Sequence, residues 1–107
     1  MAEYSGETPV LDLLVRMTAD SLAVSGLEPA ELMLVRIAAL AAVDAPAISY
    51  ATNAEAAVAV GVDAEKVSGI LAAIAPIVGT ARVVSATAKI AEGLAIELEE
   101  LDSYDAG

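Results

Sequence analysis

The middle of the chain holds one concentrated set of polar side chains: Ser49, Tyr50, Thr52, Asn53 and Glu55. Helical spacing places Ser49, Thr52 and Asn53 within one turn, with Tyr50 adjacent. Hydroxyls and an amide can orient a carbonyl or carboxylate, but none of them titrates near neutral pH. Tyr50 would serve as an acid only if its pKa were lowered. Ser49, Tyr50, Thr52 and Asn53 are therefore candidates to line a small-molecule site. The alternative is a polar helix face turned to water or bonded to the next helix.

Two arginines could supply an anion partner. Arg36 has Leu32 and Leu40 four residues to either side, and Arg82 has Val78 and Ala86, so neither finds an acid on its own helix. Arg16, by contrast, is flanked by Asp12 and Asp20. An unpartnered guanidinium taken out of water is costly. Arg36 and Arg82 must therefore reach Asp44, Glu55 or Glu92, a carbonyl, solvent, or the carboxylate of a ligand.

Residue types exclude other chemistry. The chain has no cysteine and no histidine, so Ser49, Ser68 and Ser85 lack an imidazole base for nucleophilic attack. Only carboxylates remain as metal ligands, and these suit Mg²⁺ or Ca²⁺. Glu97 with Glu100 and Asp102 with Asp105 have helix-face spacing, but they belong to a terminal acidic run that reads as solvated. No glycine-rich phosphate loop is present. No metal and no cofactor are expected.

Five helices must position these groups. Twenty-five alanines give high helix propensity almost throughout. Thr8-Pro9 reads as N-cap and first turn of a helix running to about Val24 and stopping at Gly26. Glu28-Pro29 opens a second helix to about Val43, polar only at Arg36 from Leu32 onward. Pro46 breaks it, because proline disfavours helix in the residue before it. A third helix spans about Pro46 to Val60, closed by Gly61. Asp63 caps a fourth, whose Val67, Ile70, Leu71 and Ile74 form one apolar face. Pro76 kinks or ends that helix, and Gly79-Thr80 turns into the fifth. Val83, Thr87, Ile90, Ala91, Leu94, Leu98 and Leu101 are expected to line one side of it. No strand pattern appears, so the fold class is all-α. Residues 1–107 read as a single domain, with a flexible arm over 1–8 and a fraying acidic tail over 97–107.

Hydrophobic residues make up 58% of these 107 residues. One domain this small leaves much of its chain at the surface, so the apolar content exceeds what a lone subunit can hide. Lipid is a poor cover. The longest uncharged stretch, Val67 to Ala81, is short of the roughly 20 residues a spanning helix needs. Met1 to Thr8 has neither the basic start nor the apolar run of a signal peptide, and a cytoplasmic location is expected. Sixteen acids against five bases give a net charge of −11, which repels nucleic acid and anionic membranes. The remaining cover is a ligand or sister copies of the chain.

Four segments in order carry a resemblance: Leu34-Val35-Arg36-Ile37-Ala38-Ala39-Leu40, Asp44-Ala45-Pro46-Ala47-Ile48-Ser49-Tyr50, Ala57 through Val67, and Ile74-Ala75-Pro76-Ile77-Val78-Gly79. Over residues 28–95 the chain resembles the carboxymuconolactone decarboxylase and alkylhydroperoxidase D-like family. The resemblance implies an all-helical subunit that assembles with itself into trimers or hexamers.

The peroxidase branch of that family carries a Cys-x-x-Cys pair and a histidine at the start of the third helix. Aligned on Gly61, these positions fall on Pro46, Ser49, and Thr52 or Asn53, and a family glutamate falls near Met33. Thiol peroxidase chemistry needs a thiolate and a resolving thiol, so this chain cannot perform it. The decarboxylase branch keeps a proton-transferring histidine at about Asn53, and asparagine does not titrate. What the resemblance leaves is a small apolar or carboxylate-bearing metabolite held by Ser49, Tyr50, Thr52 and Asn53, with Arg36 or Arg82 as anion partner. Any turnover would be cofactor-free decarboxylation or isomerisation. The alternative is a catalytically inactive oligomer valued for assembly, and an active peroxidase survives only as a family label.

Overall fold

The computed structural model describes residues 8–106 in backbone and side chains through residue 95. The arm expected over 1–8 lies outside them except for Thr8, as do the side chains of the acidic tail. Five helices follow in order: α1 Pro9–Ser25, α2 Pro29–Ala42, α3 Ala47–Ala59, α4 Ala64–Val78 and α5 Thr80–Ala106. Among the described residues there is no strand, and no helix is long and apolar enough to cross a membrane.

Local chemistry sets most helix ends. Pro9 and Pro29 occupy first turns, where a missing N–H costs nothing. The Thr8 side chain makes no cap to the backbone, contrary to expectation; its hydroxyl donates to Asp12 Oδ1 at 3.3 Å. At α2 a reciprocal box forms instead, with Glu31 Oε1 accepting from the Glu28 N–H at 3.0 Å. Asp63 caps α4 as expected, accepting the Lys66 N–H at 3.0 Å. Pro76 lies inside α4, two residues before its end.

Both ends of the α2 and α3 pair use the same closing turn. The Ala45 N–H reaches the Leu40 carbonyl at 2.9 Å and the Asp44 N–H reaches Ala41 at 3.2 Å, while Val62 and Gly61 repeat the pattern on Ala57 and Val58. This motif needs a left-handed residue at its corner. Gly61 supplies it at φ 87°, whereas in the first turn the corner is Asp44 at φ 56°. Aspartate is among the few side-chain-bearing residues that adopt this conformation.

The core lies between α2, α3, α4 and α5 in two joined clusters. Met33, Ile37, Tyr50, Ala57 and Val62 form one, and Ala41, Leu71 and Ala86 the other, with Ile90 packed against both. The α4 face expected from Val67, Ile70, Leu71 and Ile74 is the face that packs. The α5 face differs from expectation. Val83 and Ile90 face the core, but Thr87, Ala91 and Leu94 are exposed, and the tightest positions are Ala86 and Gly93. Gly93 lets α5 close on α3, and Ala86 packs with Ala41 of α2 and Leu71 of α4.

α1 stands apart. The packed pairs are α3 with α5, α2 with α4, α2 with α3, and α5 with α2 and α4. No α1 residue is buried, and a bond from Arg36 Nη2 to the Thr18 carbonyl at 3.2 Å joins it to α2.

Candidate functional site

The polar cluster sits on the first two turns of α3, directly after the proline that starts it. Pro46 is extended at φ −72° and ψ 163°, and its carbonyl accepts the Ser49 N–H at 3.0 Å. A helix start of this kind favours a thiolate or another anion through its free N–H groups. The side chains present do not use that property. Asn53 Nδ2 donates to the Ser49 carbonyl at 2.8 Å, and Thr52 Oγ1 donates to the same carbonyl at 3.0 Å. Two of the four candidate ligand groups are thus turned back on their own helix. Ser49 and Asn53 are half-buried and Thr52 is exposed.

Tyr50 faces another way. Its side chain is 7% exposed and packs with Met33 and Ile37 of α2, Ala57 and Val62. The hydroxyl is buried without a hydrogen-bond partner. Burial raises its pKa, and the nearby Asp44 carboxylate raises it further. The phenol is therefore a weaker acid than free tyrosine, so it does not meet the condition for acid catalysis. Met33, where the resemblance places a glutamate, is 5% exposed in the same apolar cluster. A carboxylate there would be desolvated among aliphatic groups, so methionine suits the packing and removes the acid.

The arginines go to backbone carbonyls, one of the outlets open to them from sequence, and not to the acids considered. Arg36 reaches Thr18 on α1, and Arg82 Nη1 reaches the Ala42 carbonyl at 2.6 Å, satisfying the end of α2. They are not brought together with each other or with the α3 cluster in one hydrogen-bonded set.

The acid that sequence reading offered to Arg36 and Arg82 is held by other groups. Asp44 Oδ1 accepts from Ser85 Oγ at 2.7 Å and from Lys89 Nζ at 3.0 Å. The Ser85 and Lys89 hydrogen bonds hold its pKa below the ordinary carboxylate value, with Arg82 adding a smaller effect. Arg82, Ser85 and Lys89 therefore form one polar stripe that fastens α5 to the α2–α3 corner. Their i, i+3, i+7 spacing was available in the sequence as a signal. Among the described residues no group of three or more acids is placed to hold a metal ion.

A proline-started helix carrying the polar patch, a glycine-closed turn and a following apolar helix define an all-α helix–turn–helix domain. The sequence profile of the Carboxymuconolactone decarboxylase family matches residues 8–92, and the chain belongs to that family. The match takes in α1, upstream of the segments that carried the resemblance. No curated protein and no solved structure matches this chain.

Proposed function

We propose that this chain is the subunit of a homo-oligomeric, non-redox member of its family, whose α3 site has been converted from chemistry to packing. Its role lies in assembly and interaction rather than turnover. One observation carries this reading. Thr52 and Asn53, at the family's histidine position, do not titrate, and the Thr52 hydroxyl and one Asn53 N–H are turned back on the Ser49 carbonyl. Met33 in the core supports it by replacing the family's acid. A trimer or hexamer in the cytoplasm is the expected form. The net charge of −11 argues against nucleic-acid partners.

A second reading rests on the unpartnered Tyr50 hydroxyl. A small, largely apolar molecule with a carbonyl or carboxylate oxygen to accept that hydrogen bond would make the chain a ligand-binding protein, with cofactor-free decarboxylation or isomerisation as the chemistry open to it. A thermal-shift panel of aromatic and aliphatic carboxylates separates the two readings. Assembly without binding predicts no shift from any member. A saturable shift that Tyr50→Phe abolishes would replace the first reading with the second.

A further inference from the structure

Tyr50 is the largest side chain in the core and the one whose chemistry is left open. It is 7% exposed, and its neighbours are Met33 and Ile37 of α2, Ala57 and Val62. All four are apolar, and the phenol oxygen is buried with nothing to bond. A hydroxyl in that state costs the fold free energy that a bonded partner would recover. The surroundings can give way to one. Among the described residues no large side chain is completely enclosed, and Met33 is an unbranched side chain that adapts its shape readily.

The same surroundings decide what the partner is. Burial raises the Tyr50 pKa, so the phenol keeps its proton at neutral pH and offers one O–H donor. Among the described members of the cluster none is cationic. Arg36 is turned to the Thr18 carbonyl, Arg82 to the Ala42 carbonyl and Lys89 to Asp44. A carboxylate placed here would exchange its hydration for a single hydrogen bond, too little for a full charge. The Asp44 carboxylate, which also acts on Tyr50, would repel it further. An alcohol brings a second donor, and one hydrogen bond cannot satisfy two. A ketone or ester oxygen only accepts, and one donor suffices for it.

We infer that Tyr50 is the specificity-determining donor of a site for a neutral carbonyl compound, a ketone or ester on a small apolar body, which excludes carboxylates. The inference rests on the second reading above, the ligand-binding one, and narrows it to one chemical class.

Isosteric pairs of probes test it on the full-length chain: acetophenone against benzoate, and cyclohexyl methyl ketone against cyclohexanecarboxylate. Affinities are measured by calorimetry at neutral pH for the parent and for Tyr50→Phe. The tyrosine Raman doublet, taken as the difference between the two proteins, reports the hydrogen bonding of the Tyr50 hydroxyl. The expected result is saturable binding of the ketones, about tenfold or more tighter than of the matching carboxylates. Tyr50→Phe should weaken ketone binding by about tenfold, the equivalent of one hydrogen bond. The doublet should report a phenol without a partner in the free protein and a donor once cyclohexyl methyl ketone is bound. Binding of neither class removes the ligand reading itself and leaves assembly. Carboxylates that bind as tightly as the ketones keep that reading and overturn the neutral class. Ketone binding that Tyr50→Phe leaves unchanged overturns the assignment to Tyr50. A doublet that already reports a donated hydrogen bond in the free protein means that water completes the hydroxyl, and the inference falls.

Discussion

A Cβ built on Gly93 would lie 2.9 Å from the Cβ of Tyr50 and 2.8 Å from the Ala47 carbonyl oxygen. α5 and α3 thus meet backbone to backbone, with no room for a methyl group. Alanine normally stabilises a helix interior relative to glycine. At this position the sign should reverse.

Gly93→Ala is expected to destabilise the protein by about 1–3 kcal/mol, because the neighbouring atoms are backbone and cannot swing aside. Gly69→Ala is the control, since a Cβ there meets nothing within 4 Å. It should stabilise by about 0.5–1 kcal/mol. Urea unfolding at one fixed chain concentration measures both, because any self-association would make stability depend on concentration.

Asp44 should make the fold sensitive to acid. Its folded pKa lies below the ordinary value because the carboxylate accepts from Ser85 and Lys89. The stabilisation is therefore complete above the ordinary carboxylate range, near about pH 4. It is lost as pH falls through the lowered folded value. Asp44→Asn keeps a residue tolerant of φ 56° while removing the charge. Wild type should exceed the variant in melting temperature at neutral pH, and the gap should narrow in acid. A gap that does not change with pH would count against the Lys89 pairing.

Tyr50 should act at the alkaline end. Its folded pKa is raised by burial, so the fold is fully stable below the unfolded tyrosine value, near about pH 10. Stability should fall as pH rises from there through the folded value. Tyr50→Phe should remove this limb of the pH profile. At neutral pH it should raise stability by about 1 kcal/mol, since it deletes a buried hydroxyl that no group satisfies. Chemical denaturation at neutral and alkaline pH checks both effects.

Asp63→Ala should cost about 1 kcal/mol, typical of a lost N-cap. The loss should fall on α4 first, because the Lys66 N–H is the group left without its acceptor. Hydrogen exchange at the start of α4 should quicken relative to α3.

Helix boundaries were legible because prolines, glycines and Asp63 mark them with residue-specific stereochemistry. The α4 face was legible because large aliphatic residues recur at helical spacing. The packing of α5 was less so. Its contacts run through Ala86 and Gly93, and the absence of a side chain leaves no pattern to count. The candidate site was legible in place but not in orientation. Thr52 and Asn53 share a turn with Ser49, yet whether they face outward or bond the Ser49 carbonyl depends on rotamers that spacing does not fix. Arg36 and Arg82 were identified as needing partners, and their carbonyl acceptors follow from helix ends and neighbours that only the fold brings together. Asp44 at a left-handed corner was hidden because glycine is the usual marker there.

Gly79 alone joins α4 to α5, at φ 90° and ψ 163°, a conformation open essentially to glycine. A joint of one residue has no slack, so any tilt of α4 must swing α5 as a lever about that point. The first three turns beyond that joint carry Arg82, Ser85 and Lys89, which hold the α2–α3 corner. Strain entering the subunit at α4 would thus be felt at the α2–α3 corner beside the joint, through rigid geometry and without any change in chemistry.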